Sequence, residues 1–86
     1  MQGDRRLRRD LTWRVVGGST LVLDVRTSQY LSVSGSGIVI WGMLAEGTTR
    51  DQIVARLLDE FEVDFDTAAM HVDKFIDDLS QRGLLA

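Results

Sequence analysis

Gln29-Tyr30-Leu31-Ser32-Val33-Ser34-Gly35-Ser36-Gly37-Ile38-Val39-Ile40-Trp41 is the stretch on which the fold turns. Its first six residues put Leu31 and Val33 on one face, as a strand does. Ile38-Val39-Ile40-Trp41 is apolar without alternation and opens a short buried helix over residues 38–45, stopped by Glu46-Gly47. The period changes at Ser34-Gly35-Ser36-Gly37, so strands belong before it and helices after it.

Working towards the N-terminus, Thr12-Trp13-Arg14-Val15-Val16 and Ser19-Thr20-Leu21-Val22-Leu23-Asp24-Val25 are rich in β-branched and aromatic residues. Gly17-Gly18 between them is a hairpin signal. With Arg26-Thr27-Ser28 as a second turn, the three runs form an antiparallel meander. No fourth strand is available, which leaves residues 29–34 as an open edge. Towards the C-terminus, Thr49 and Gln52 have capping-box spacing ahead of a stripe of Ile53, Val54, Leu57, Leu58 and Phe61. Asp64 then caps a third helix, in which Phe65, Ala68, Ala69, Val72, Ile76 and Leu79 recur at helical steps until Gly83. Leu84 and Leu85 can pack back as an apolar stub. The order β-β-β-α-α-α predicts one α+β, winged-helix-like domain over residues 11–86, with residues 1–10 as a flexible basic arm.

Composition narrows the function. The chain has 86 residues, no cysteine, no proline and a net charge of -3. One core fits in this length and little room remains to enclose a substrate, so an enzyme is not expected. Without cysteine there is no thiolate catalysis and no disulfide. No apolar run suits a membrane helix or a signal peptide, which predicts a cytoplasmic protein with no membrane partner. His71 is the single histidine, and a metal site would have to borrow carboxylates such as Asp73 or Asp77. Gly35-Ser36-Gly37 lacks the further glycine of a dinucleotide loop and the lysine of a P-loop. No metal, no cofactor and no catalytic residue are expected.

Charge is uneven: six arginines and three acids lie in residues 1–45, four bases and ten acids in residues 46–86. Arg5-Arg6-Leu7-Arg8-Arg9 suits a nucleic-acid arm, a surface for an acidic protein or a solvated tail. A small winged-helix DNA-binding protein would use such an arm. Its third helix, however, would bring Asp66, Asp73, Asp77 and Asp78 to the phosphates against Lys74 and Arg82, so no nucleic-acid partner is expected. On the third helix Phe75 lies on a line with Ala68, Val72 and Leu79 and widens the apolar stripe. Such a stripe is either all core or partly a groove for a partner.

These residues also carry a family likeness. Leu23-Asp24-Val25-Arg26-Thr27-Ser28-Gln29-Tyr30-Leu31-Ser32-Val33-Ser34-Gly35-Ser36-Gly37, followed by Ile40-Trp41, Gly47-Thr48-Thr49, Phe61-Glu62-Val63-Asp64 and Gly83-Leu84-Leu85, resembles the PqqD-like domain, the RiPP recognition element. The likeness runs from about Trp13 to Leu85. It implies a non-catalytic protein that binds the leader segment of a ribosomally made precursor peptide. The leader would add as a strand beside the third strand and lay side chains in a groove against the third helix. Carried onto this chain, the edge is Gln29, Tyr30, Leu31, Ser32 and Val33, and the groove wall is Val72, Phe75, Ile76 and Leu79, with Ala69 and Asp73 beside them. The chain lacks the Pro-Glu-Gly-like stretch typical of PqqD itself and is more similar to the separate recognition proteins of lasso-peptide biosynthesis. That branch implies a leader with a tyrosine and, three residues later, a proline. It also implies a leader peptidase of the transglutaminase-like cysteine type and a cyclase as partners. A PqqD-type peptide chaperone of another modified-peptide pathway is the alternative. A one-residue slip of the third strand exchanges its two faces, so the division between core and groove stays open at this stage.

Overall fold

Gly17 and Gly18 make the first reversal of the chain, with a positive φ of 62° at Gly17 as a II′ turn requires at its first central position. In a computed structural model, which describes residues 5–86, the turn joins β1 (Leu11–Val16) to β2 (Ser19–Asp24). The register is closed by Val16 opposite Ser19. A four-residue turn, with Ser28 at φ 58° and Arg26 N–H donating to Asp24 Oδ1 at 3.1 Å, leads into β3 (Gln29–Ser34). All pairing is antiparallel in the order β1-β2-β3, and Thr20 stands opposite Val33 and Val22 opposite Leu31. These four point to the helices, whereas Leu21, Tyr30 and Ser32 point away from them.

Gly35, at φ 62°, turns the chain out of the sheet and starts α1 (Ser36–Glu46) two residues earlier than the apolar run indicates. The left-handed backbone at Gly35 is open to glycine at little cost, so the helix need not wait for Ile38. The expected capping box holds α2 (Arg50–Glu60): Thr49 Oγ1 accepts from Gln52 N–H while Gln52 Oε1 accepts from Thr49 N–H. Asp64 Oδ1 accepts from Thr67 N–H at 2.8 Å and starts α3 (Phe65–Gln81). At its far end Leu84 N–H donates to Leu79 O and Gly83 N–H to Ser80 O, the two bonds of a Schellman motif, with Gly83 at φ 74°. That motif returns Leu84 to the core.

The core lies between the sheet and the helices and is built from Val22, Val33, Ile40, Trp41, Leu44, Ile53, Leu57, Val72 and Leu79. Trp13 of β1 stands edge-on to Trp41, centroids 5.5 Å apart, an arrangement favoured by the ring quadrupoles. The wide apolar stripe of α3 is therefore largely core.

The N-terminal segment departs from expectation. Residues 1–4 of the predicted arm lie outside the described residues, but residues 5–8 form an extended strap. Arg5 and Thr48 exchange backbone hydrogen bonds, Leu7 N–H donates to Leu44 O, Arg8 N–H to Leu84 O, and Ala86 N–H to Arg6 O. Leu7 is only 6% exposed. One leucine inside the arginine run supplies the apolar anchor, and the acceptors are Leu44 O in the last turn of α1, which also takes Gly47 N–H, Thr48 O after it and Leu84 O beyond α3. Arg8 is fixed as well: Nη2 lies 2.8 Å from Asp24 Oδ1, Nε 2.9 Å from Asp10 and Nη1 2.8 Å from Gly83 O. Its hydrogen bond holds the Asp24 carboxyl below the usual carboxylate range against the opposing effect of burial, and the bond to Arg26 N–H adds to it.

Candidate functional site

β3 ends the sheet, so among the described residues no strand lies beside one of its long sides. In a two-residue hairpin the closing pair, Val16 and Ser19, exchanges hydrogen bonds. Alternation through the register then points the N–H and C=O of Tyr30, Ser32 and Ser34 to the open side. α3 lies across the gap from this edge, running in the opposite direction: Gln29 and Tyr30 share a hollow with Arg82, and Ser34 shares one with His71.

Between the edge and the helix runs a groove of about 540 Å3. Its lining includes Val33, Ile40 and Leu79, all nearly inaccessible, and the partly buried Leu31 and Phe75. Gly37 shapes it: a β-carbon there would stand 3.0 Å from both the Phe75 ring and Val33 Cγ1. The missing side chain is what lets Phe75 lie down against α1. Exposed His71, Lys74, Asp77, Asp78 and Gln81 also line the opening. An apolar bottom, a polar border and free main-chain groups along one wall suit an extended peptide.

The structure divides the candidate residues. Leu31, Ser32, Val33, Phe75 and Leu79 line the groove, and Gln29, Tyr30 and Leu31 line a small continuation of it beside Arg82 and Leu84. The Tyr30 side chain itself is on the sheet's other face and 67% exposed. Ala69, Val72, Asp73 and Ile76 do not line the groove. Val72 is wholly core, Ile76 is buried, and Ala69 packs half-buried against the core. Asp73 faces α2, where Arg50 donates from Nε at 2.5 Å and Nη2 at 2.9 Å. That bidentate bond holds the Asp73 carboxyl below its usual range. At 100° per residue, Ile76 and Asp73 lie on the flank of the stripe turned to α2, whereas His71, Lys74 and Asp78 lie on the flank turned to β3. The groove in the free protein is therefore lined from the second of these flanks. The set His71, Lys74, Phe75 and Asp78, one helical face with a single aromatic, was the available signal.

The exposed surface of α3 is unsuited to a polyanion, since Asp66, Asp73, Asp77 and Asp78 are all exposed on this helix. Among the described residues no helix is long and apolar enough to cross a membrane, and no group of three acidic, histidine or cysteine side chains is placed to hold a metal.

Fold and site together define a small α+β module with an open strand edge facing a helix across an apolar groove. Residues 19–85 match the family model described as coenzyme PQQ synthesis protein D (PqqD), and the chain belongs to that family. No curated protein sequence matches it. Two solved structures share its fold. One, described as TbiB1 in complex with the TbiA(beta) leader peptide, has a TM-score of 0.86 at 24% identity over 93% of each chain. The other, a lasso peptide synthetase B1 complexed with the leader peptide, has a TM-score of 0.85 at 21% identity, covering 95% of this chain and 96% of that one.

Proposed function

We propose that this chain is a leader-recognition protein of ribosomal peptide biosynthesis, of the kind that serves lasso peptides, and that it performs no chemistry itself. The leader segment of a precursor adds as a strand to Tyr30, Ser32 and Ser34 of β3, and its alternate side chains settle between Leu31, Val33, Phe75 and Leu79. Main-chain bonds to the edge give affinity that is indifferent to sequence, while the groove selects side chains. The observation that carries this reading is the unpaired β3 edge bordering an apolar groove of about 540 Å3. Membership of the PqqD family and the two leader-peptide complexes of the same fold support it. The bound leader would be handed to a leader peptidase of the transglutaminase-like cysteine type and a cyclase.

Fluorescence anisotropy tests this with a labelled lasso-type leader bearing tyrosine and, three residues on, proline, beside a copy lacking both and a random DNA duplex. Saturable binding that persists at high salt and weakens without the two ring residues is expected. Binding to the duplex alone, falling steeply with salt, would refute it.

A further inference from the structure

Ser36 and His71 line the groove near the start of α3. These two residues also border a separate hollow of about 250 Å3, walled by Leu57, Phe61, Val63 and Ala68 where α2 gives way to α3. Leu57 and Ala68 are buried at its back, and Phe61, 36% exposed, stands at its side. No side chain of the described residues fills it, and because both hollows share Ser36 and His71, one extended ligand can occupy both. Its surroundings are acidic: Glu60, Glu62, Asp64 and Asp66 are exposed on the chain that borders it, and among the described residues only Glu60 of these four has an ion-pair partner, Arg56.

Direction follows from the sheet. Both strand pairs are antiparallel, and a strand added to β3 in the same sense begins beside Ser34 and leaves beside Gln29. The hollow at Ser36 and His71 then lies just before the first paired residue of the ligand, within the reach of one to three residues at roughly 3.3 Å each. We infer that this hollow is a second specificity subsite, which takes an apolar side chain of the leader immediately N-terminal to its strand-pairing segment, flanked by lysine or arginine. The inference rests on the leader-binding reading above.

Four synthetic peptides distinguish the two. The tyrosine-and-proline leader is prepared with N-terminal Lys-Leu-Lys, Gly-Ser-Gly or Glu-Leu-Glu, and with Lys-Leu-Lys at its C-terminus instead. Burying one leucine side chain should tighten binding by about tenfold, so the N-terminal Lys-Leu-Lys peptide should bind about that much better than the Gly-Ser-Gly peptide. Glu-Leu-Glu should gain less, and the C-terminal extension nothing. Phe61→Ala should abolish the gain and leave the Gly-Ser-Gly peptide unaffected; Val63→Ser replaces it if a thermal melt shows that Phe61→Ala does not fold. Equal affinity of the first two peptides, or a gain that survives both substitutions, overturns the subsite and leaves leader binding standing. Binding of none of the four overturns both.

Discussion

Truncating Phe75 to alanine separates the groove from the core, because the ring serves each in part. In the free protein it lies against Gly37, where a β-carbon would come within 3.0 Å of it, and it also lines the groove. Emptying a full core site of a phenylalanine costs about 3–5 kcal/mol. A ring that is only partly buried should cost less, roughly 1–2 kcal/mol. A domain of this length is stable by something on the order of 4–13 kcal/mol, so the variant should remain folded with a lowered melting temperature. Under the proposed strand addition the leader would cover the remaining surface and make the ring an anchor. Removing an anchor of this type costs about 2 kcal/mol, which is roughly thirtyfold in Kd. Anisotropy titration of the tyrosine-and-proline leader, beside a thermal melt of the same preparation, reads both quantities. A folded Phe75→Ala protein with wild-type affinity would take Phe75 out of the site and with it the groove's aromatic wall.

Other substitutions probe the parts around it. Gly37→Ala puts a methyl group 3.0 Å from Phe75 and Val33, while alanine's helix preference, worth up to about 1 kcal/mol over glycine, offsets the crowding; leader affinity should fall about fivefold or more with little change in the melt, and undiminished affinity would show that the ring's position is immaterial. The carboxyls of Asp10, Asp24, Asp64 and Asp73 are all held below their usual range, those of Asp10, Asp24 and Asp73 chiefly by arginine and that of Asp64 by Thr67. Their contribution is complete above the unfolded carboxylate value of about 3.9 and is lost as pH falls through the lowered native values. Asp24→Asn should therefore melt earlier at neutral pH, and its deficit should shrink on acidification; a constant deficit would mean the Arg8 pair contributes nothing. Replacing Arg6 and Arg9 should leave leader affinity nearly intact, whereas Arg8→Ala should lower the melting temperature because Asp24, left with Arg26 N–H as a donor, and Gly83 O both lose the guanidinium. A large loss of affinity in the Arg6 and Arg9 double variant would bring the strap into the site.

Most of the architecture is written in local chemistry, and the site is not. The glycine pair at 17 and 18, the Thr49 and Gln52 box, the Asp64 cap and Gly83 each act through bonds to near neighbours in sequence, so their geometry is legible from spacing alone. Alternation in residues 29–34 likewise gives the edge strand and the inward placement of Leu31 and Val33. Which flank of α3 borders the groove depends on where α2 packs, and that is a tertiary fact. The family likeness puts Ile76 and Asp73 beside the groove, but α2 lies on their side of α3, and Arg50 reaches Asp73 across 23 positions in sequence. The strap is hidden in the sequence for a similar reason. A run of arginines reads as solvated, and only the folded chain presents Leu7 with a pocket and Arg8 with the buried Asp24.

Strand addition at β3 is tested most directly by amide hydrogen exchange, read residue by residue by NMR with and without saturating leader peptide. The N–H groups of Tyr30, Ser32 and Ser34, which face the open side, should exchange readily in the free protein and become protected in the complex, while those of Leu31 and Val33 change little. Unchanged exchange at those three amides with the leader bound, or new protection on the β1 edge at Leu11, Trp13 and Val15, would contradict it.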